Sequence, residues 1–155
     1  MSSRNKVQFQ ECVVHKQFID NPELLQKELH FYQLVPWAAP KLIHAGDDCL
    51  IIERLTPASK LPLWKPIDEL YDLLKRIHNA GVNHRDVHIG NIVCHPVDGP
   101  LLIDWEHATD QVESESYDLV GPASGVEPPK GHNGDPGQPM WIGSDHRLSI
   151  KRQWK

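Results

Sequence analysis

Three side chains with oxygen ligands stand near one another in the middle of this 155-residue chain. Asp86 and Asn91 are five positions apart with Gly90 between them, and Asp104 follows at the end of the apolar run 101–103. Transfer of a phosphoryl group from Mg-ATP needs a carboxylate to orient the acceptor hydroxyl and hard oxygen ligands for Mg²⁺. The side-chain types predict Asp86 as that carboxylate and Asn91 and Asp104 as the metal ligands.

The segment between Asn91 and Asp104 predicts a β-hairpin. Residues 92–94 are apolar, residues 95–100 contain proline, aspartate and glycine, and residues 101–103 are apolar again. Because a hairpin returns the chain to its start, we expect Asp104 beside Asn91. A tight loop through Gly90 would point the side chains of Asp86 and Asn91 into one cleft.

These residues resemble motifs of the protein-kinase-like superfamily. The sequence His-Arg-Asp at 84–86 with Asn91 resembles the catalytic loop, and Asp-Trp-Glu at 104–106 stands where the superfamily carries its metal-binding Asp-Phe-Gly. The residues Trp-Glu after Asp104 are similar to the residues found at this position in the aminoglycoside and choline phosphotransferase branch. Arg85 is more typical of protein kinases. The resemblance implies ATP and Mg²⁺ as cofactors.

Residues before the catalytic-loop motif also resemble motifs of this superfamily. The sequence Val-Val-His-Lys at 13–16 resembles the strand whose lysine contacts the α and β phosphates and pairs with a helix glutamate, which implies Lys16 and Glu28 for these roles. A helix is predicted from the N-cap Asn21 and from Pro22 at the first helical position.

Further elements follow in the order that the resemblance requires. Strands are predicted at 41–45 and 49–55, and the second leads into a hinge at Glu53 and Leu55, whose backbone would meet the adenine. An apolar period over 66–80 predicts a helix that ends before Gly81.

The order of elements predicts an α+β protein with a reduced two-lobed protein-kinase-like fold: a small antiparallel N-terminal sheet with one helix, and a truncated C-terminal lobe. We expect one domain, 1–155, with an N-lobe at about 1–55, a hinge at about 53–62, a reduced C-lobe at about 63–120 and a C-terminal wrap at about 121–155. Residues 121–139 hold five glycines and five prolines, which leaves both an ordered irregular wrap and a flexible tail open.

The composition is typical of a soluble globular protein, with 39% hydrophobic and 24% charged residues. A net charge of -5 predicts no nucleic-acid partner and no binding to an anionic membrane. The sequence has no apolar run of about 20 residues and its start is too polar for a signal peptide, so we expect a cytoplasmic protein. Cys12, Cys49 and Cys94 are expected to be reduced, buried thiols.

Several neighbouring residues have structural interpretations. The ring of His84 is expected to bond the backbone near Asp104, and residues 117–119 resemble a segment that stabilises the catalytic loop. His88 suggests a zinc site with His84, although four-residue spacing in a loop does not bring the two rings together. Residues 1–15 contain no glycine, so a glycine-rich phosphate loop is missing there. Arg4, Lys6 or a partner chain would have to replace it.

The leading hypothesis is an ATP-dependent phosphotransferase acting on a hydroxyl acceptor, either a small molecule or a protein. The alternative is a pseudokinase or nucleotide-binding interaction module, which the missing glycine loop favours. A metal-dependent hydrolase built on the histidine-rich middle is a third hypothesis. The sequence does not identify the acceptor, and a protein partner stays open.

Overall fold

The computed structural model describes residues 6–61, 64–111 and 118, with the backbone alone at 64–68 and at Ile89. In these residues the chain is an α+β protein with two small antiparallel sheets, as predicted. In chain order the elements are β1 (Lys6–Phe9), β2 (Val13–Gln17), α1 (Pro22–Leu34), β3 (Leu42–Ala45), β4 (Cys49–Glu53), β5 (Thr56–Pro57), α2 (Trp64–Asn79), β6 (Ile92–His95) and β7 (Gly99–Leu102). Short 3₁₀ turns lie at Pro36–Ala38, Ala58–Lys60 and Ile89–Asn91.

The first sheet has the order β1-β2-β4-β3, and every neighbouring pair is antiparallel. Helix α1 packs against it through a buried face that includes Leu25, Phe31 and Tyr32. The predicted helix start is confirmed, because Pro22 is the first helical residue and the side chain of Asn21 accepts the Leu24 N–H at 3.2 Å. The cap fixes where α1 begins, and so which of its residues face the sheet.

The second sheet has the order β5-β6-β7. Its strands β6 and β7 form the predicted hairpin, with Ile92 opposite Leu102. The turn is shorter than the predicted 95–100, since His95 still pairs with Gly99. Strand β4 ends at Glu53 rather than at the predicted residue 55, because the chain leaves the first sheet there and enters β5.

Helix α2 begins at Trp64, two residues before the predicted start. Pro66 therefore lies in the first turn, where the backbone N–H that a proline lacks would have no acceptor within the helix. The helix ends as predicted, with Gly81 following at φ +82°. Its core residues Leu70, Leu74 and Ile77 are fully buried and join one hydrophobic core with the β6–β7 hairpin.

The cysteine prediction is partly wrong. All three thiols are free, but Cys12 is exposed in the turn between β1 and β2, Cys49 is half-buried, and only Cys94 is buried. Cys12 lies just before β2, whereas the apolar residue that packs against the core there is Val14, inside the strand. Burial raises the pKa of the Cys94 thiol to about 11.

Some predictions fall outside the described residues, namely Arg4 and the C-terminal wrap at 121–155. The division into lobes, hinge and wrap stays a prediction. Among the described residues, no helix has the length and apolar character needed to cross a membrane.

The end of α2 gives a stability prediction. A Cβ at Gly81 would have no heavy atom within 4 Å, so the substitution Gly81→Ala is resisted by its φ of +82° alone. We expect a loss of about 1 kcal/mol in the free energy of unfolding, and a smaller loss for Gly81→Asn, which tolerates the left-handed region. Urea unfolding measures both. An alanine variant as stable as the wild type would contradict this backbone conformation.

Candidate active site

Lys16 and Glu28 form an ion pair between β2 and α1. The Lys16 Nζ lies 3.0 Å from both carboxylate oxygens of Glu28, and 3.6 Å from Oδ1 of Asp104. Glu28 is only 1% exposed, whereas Glu23, the other glutamate in the first half of α1, is exposed. The structure thus brings the two residues that sequence reasoning paired into direct contact.

The carboxylate of Glu28 also holds the segment after β7. Its Oε1 accepts the backbone N–H of Trp105 at 3.1 Å. One buried carboxylate therefore connects β2, α1 and the peptide that follows Asp104.

Lys16 stays charged in this environment. Burial lowers the pKa of its ammonium, but the carboxylates of Glu28, Asp104 and Glu106 outweigh that effect and raise the pKa above its ordinary value. The side chain is therefore a fixed positive charge at neutral pH.

Asp86 and Asn91 are joined inside the loop that follows α2. The Asn91 Nδ2 donates to the backbone oxygen of Asp86 at 2.9 Å and to its Oδ2 at 3.0 Å. Both residues are buried. The 3₁₀ turn Ile89–Asn91 folds the loop back, which lets the amide reach a side chain five positions earlier.

The same loop is stabilised from the far side by Asp118. Its carboxylate accepts the N–H of His84 at 2.6 Å and the N–H of Arg85 at 2.7 Å. Arg85 has φ +71°, a conformation that turns successive N–H groups toward one anion. The predicted role of residues 117–119 is confirmed for Asp118, and the other two lie outside the described residues.

His84 is structural, as predicted. Its Nε2 donates to the Ile103 carbonyl at 2.8 Å, and its Nδ1 accepts the Asp86 N–H at 3.2 Å. These partners assign a neutral ring with its hydrogen on Nε2. Burial lowers the pKa of His84 against the opposing effects of the Ile103 carbonyl and two aspartates. The suggested zinc site has no support in the described residues, where no group of three or more His, Cys, Asp or Glu could hold a metal.

Asp104 follows β7 in a left-handed backbone conformation, with φ +61°. Its Oδ1 is buried and has no hydrogen-bond donor, although the Lys16 ammonium is 3.6 Å away. The N–H of Ile103 donates to the Asn91 carbonyl at 3.0 Å, so the end of the hairpin places Asp104 close to Asn91, as predicted. An anionic oxygen buried without a donor fits a site for a divalent cation.

Trp105 fills the space behind Asp104. It is fully buried, and its Nε1 donates to the Leu102 carbonyl at 3.0 Å. Its ring stacks on Phe31 of α1 with centroids 5.8 Å apart and meets the His84 ring edge-on at 4.7 Å. The indole thus packs against α1, the β6–β7 hairpin and the loop that contains His84.

A cavity of about 370 Å³ opens beside these residues. Apolar side chains of the first sheet line one side and those of the β6–β7 region line the other, while Lys16, Asn91 and Asp104 lie along it. The sequence-predicted hinge residues Glu53 and Leu55 also line this cavity. Lys6, one of the suggested phosphate contacts, is exposed on β1 and is not among the lining residues.

Sequence reasoning missed three features around the cavity. Tyr32, a buried residue of α1, also lines the cavity. Arg54 packs its guanidinium over the Phe9 ring at 5.4 Å and donates to the Gln10 carbonyl at 2.9 Å. His88 lies 3.7 Å from Asp86. The contacts of Tyr32 and Arg54 join residues far apart in the chain, so neither periodicity nor a motif in the sequence could have predicted them. His88, in contrast, lies inside the motif at 84–91.

Solved structures resemble this chain, although no family model and no curated protein matches it. WbdD bound to the kinase inhibitor LY294002 matches with a TM-score of 0.55 and 18% identity, over 72% of this chain and 32% of that one. The bifunctional kinase-methyltransferase WbdD matches at medium resolution with a TM-score of 0.58 and 20% identity, over 70% and 30%. A low-resolution WbdD structure with its C-terminal bundle ordered matches with a TM-score of 0.57 and 16% identity, over 98% and 42%.

The chain has a kinase-like fold. This confirms the predicted fold. Membership of the superfamily, and the branch within it, stay predictions, because identities of 18% and 20% are evidence for the fold alone. The chain spans between 30% and 42% of the length of these WbdD structures.

The neutral His84 ring makes stability depend on pH. An unfolded histidine takes up a proton near pH 6.5, whereas the folded ring has a lowered pKa, so the stabilisation is complete above about 6.5 and is lost as the pH falls below it. At pH 5.5 the loss is at most about 1.4 kcal/mol. Urea unfolding of wild type and His84→Gln at pH 7.5 and 5.5 isolates this contribution. Parallel losses in both proteins would contradict it.

The buried carboxylate gives a second prediction. Glu28→Ala removes the acceptor of both Lys16 and the Trp105 N–H, and breaking a buried pair in this way costs about 3–5 kcal/mol. Glu28→Gln should cost less, because an amide oxygen still accepts the Trp105 N–H. The matched control is Glu23→Ala, on the exposed first turn of the same helix, with a loss below about 1 kcal/mol. Chemical denaturation ranks the three, and equal losses at positions 23 and 28 would refute the central role of Glu28.

Proposed function

We propose that the chain is an ATP-dependent phosphotransferase that moves the γ-phosphoryl group of Mg-ATP to a hydroxyl acceptor. One observation carries the proposal: Lys16, Asn91 and Asp104 line the same cavity, and Asp86 is hydrogen-bonded to Asn91 at 3.0 Å. These are the charge and ligand types that phosphoryl transfer needs, and they come from three separate segments of the chain: β2, the loop after α2 and the segment after β7.

The nucleotide would bind in the cavity with its base between the two apolar sides. Val14 and Ile52 of the first sheet and Ile92 of the hairpin offer surfaces suited to a flat aromatic ring. The carboxylate of Glu53 is occupied by the Lys41 N–H at 2.9 Å. In the proposal, the hinge residues Glu53 and Leu55 therefore meet the base through their backbone, and Lys16, held by Glu28, contacts the phosphates.

Asn91 and Asp104 would hold Mg²⁺. The amide nitrogen of Asn91 donates to Asp86, which leaves its carbonyl oxygen as the atom for a metal, and Asp104 supplies its buried Oδ1. When bound, Mg²⁺ neutralises the charge on the transferring phosphates.

Asp86 would orient the acceptor hydroxyl and take its proton. The carboxylate is fixed by Asn91 on one oxygen and by the backbone contact of its own N–H with His84. A carboxylate held in this way loses little freedom when the acceptor arrives, which favours an in-line approach.

The acceptor is a small molecule or a protein hydroxyl. The Asp-Trp-Glu sequence at 104–106 favours a small molecule and Arg85 favours a protein. The competing function is nucleotide binding without transfer, which the absence of glycine from residues 1–15 favours.

The test is incubation of the purified full chain with Mg-ATP and candidate acceptors, followed by mass spectrometry of acceptors and protein. We expect a phosphorylated product from the wild type, and at least a hundredfold less from Asp86→Asn with nucleotide binding retained, because only the proton acceptor is lost. Asp104→Asn should lose Mg²⁺-dependent nucleotide binding as well. Thermal shift with Mg-ATP measures the binding.

Two outcomes would decide against transfer. Undiminished transfer by Asp86→Asn would refute the assignment of that residue. Mg-ATP binding by the wild type without any phosphorylated product or ADP would favour the interaction module.

A further inference from the structure

A second cavity, of about 290 Å³, adjoins the candidate active site. It lies among the 3₁₀ turn Pro36–Ala38, the beginning of β3, the end of β4 and the β6–β7 turn. Tyr32, Pro40 and Glu53 line both cavities, whereas the four residues to which transfer is assigned do not line the second one. Its volume is close to the lower end of the range for ligand pockets, about 300–1,000 Å³.

The carboxylate of Glu53 lies on the side of the second cavity. Its Oε1 accepts the backbone N–H of Lys41 at 2.9 Å, and Lys41 lines the second cavity but not the first. The Glu53 side chain is half-buried, and in the part of the chain that the structure describes it forms no ion pair. A partly buried anion that is balanced by one N–H alone is unfavourable. One carboxylate oxygen therefore stays available to a positively charged group.

Asp98 adds a second carboxylate from the β6–β7 turn. It is 65% exposed, and it lies 3.6 Å from the Nδ1 atom of His95. That nitrogen accepts the N–H groups of Val97 and Asp98, each at 3.1 Å, so it has no hydrogen for the carboxylate. The charged residues that line the cavity are Glu53, Asp98 and Lys41. Two carboxylates against one ammonium leave the lining with a net negative charge.

Aromatic and apolar side chains form the rest of the wall. The Arg76 guanidinium covers one face of the Trp37 ring at 4.5 Å. Because Arg76 does not line the cavity and Trp37 does, a ligand would meet the ring from another side. Leu42 and Leu101 add apolar surface. A cation beside an aromatic ring is attracted by the negative face of the ring. The wall therefore suits an apolar body that carries a positive end.

The hydroxyl of Tyr32 is a polar group without a partner. The residue is 6% exposed, and no hydrogen bond of its hydroxyl is found within the described residues. Burial, followed by the charges of Glu28 and Asp104, raises the pKa of Tyr32 well above its ordinary value, so the phenol is neutral at neutral pH. A neutral phenol accepts an N–H through its lone pairs. An unpaired buried hydroxyl is unfavourable, and a ligand with N–H donors would satisfy it.

We propose that the second cavity binds a small organic ammonium ion, with its charged end toward Glu53 and Asp98 and its apolar body against Trp37. The Tyr32 hydroxyl accepts one N–H of the ammonium group. The site goes beyond the proposed phosphotransferase function and does not depend on it, because the nucleotide is assigned to the other cavity and the acceptor to Asp86.

The test is titration calorimetry of the full chain with hexylammonium, in the absence of nucleotide. Hexanol and hexanoate are the neutral and anionic controls of the same length. We expect saturable binding of hexylammonium, binding of hexanol that is at least about tenfold weaker, and no binding of hexanoate, because the lining is negative and its hydrogen bonds to a cation are charge-assisted. Equal affinities for hexylammonium and hexanol would overturn the proposal, since the cavity would then recognise only an apolar body.

Two lysine variants locate the bound cation. Asp98→Lys and Asp47→Lys change the net charge equally, and both residues are exposed between paired strands, but only Asp98 lines the second cavity. We expect Asp98→Lys to weaken hexylammonium binding about tenfold and Asp47→Lys to change it little, because repulsion between charges falls with distance. Equal losses in the two variants would overturn the location.

Two conservative variants test the polar contacts. Glu53→Gln removes the charge but keeps an oxygen for the Lys41 N–H, and Tyr32→Phe removes the hydroxyl alone. Each should weaken hexylammonium binding about tenfold. Without ligand, Tyr32→Phe should match the wild type in urea unfolding, because its hydroxyl has no hydrogen bond to lose. Wild-type affinity in Glu53→Gln would overturn the site, and wild-type affinity in Tyr32→Phe would overturn the role of the hydroxyl.

Failure of the cation site and failure of the transfer function are distinguishable. A wild type that transfers phosphate but shows no saturable hexylammonium binding would overturn the site and leave the transfer function standing. A wild type that binds hexylammonium with the expected losses in the variants, yet transfers no phosphate, would support the site and count against transfer alone.

Discussion

The site depends on one buried carboxylate. Glu28 is almost completely removed from water, and burying an anion without partners is far more costly than any single packing contact can offset. Its partners are Lys16 on β2 and the N–H of Trp105, 77 positions along the chain. Because both must be in place for the carboxylate to be tolerated, the position of α1, the charge at the cavity and the segment of Asp104 are fixed together.

Two residues of the candidate site have a strained backbone. Arg85 at φ +71° and Asp104 at φ +61° both lie in a region that side chains with a Cβ rarely adopt. Each is held by neighbours that compensate it: Asp118 accepts the Arg85 N–H at 2.7 Å, and the indole of Trp105 packs between Phe31 and His84. The left-handed conformation turns Asp104 so that Oδ1 is enclosed beside Lys16. In an extended conformation, the residue would instead continue the direction of β7.

The sequence predicted those parts of the structure that local chemistry decides. Asn21 caps α1 because its side chain reaches an N–H three residues on, and the hairpin follows from apolar runs around a turn. The contacts of Trp105 and the exposure of Cys12 depend on which surfaces meet, and neither leaves a periodic signal. His88 was weighed as a zinc ligand, whereas its ring is positioned by Gly90, a contact that spacing alone does not reveal.

The charges around Lys16 bear on how the proposed nucleotide would be held. Lys16 is a single cation that two carboxylates, Glu28 and Asp104, already compensate. Arg54 also lines the cavity, but its guanidinium is committed to the Phe9 ring and the Gln10 carbonyl. The local balance around Lys16 is therefore negative, and a free triphosphate entering there would meet net repulsion. In the proposed function, Asn91 and Asp104 would hold a divalent cation, whose charge would reverse that balance and supply much of the attraction for the phosphates.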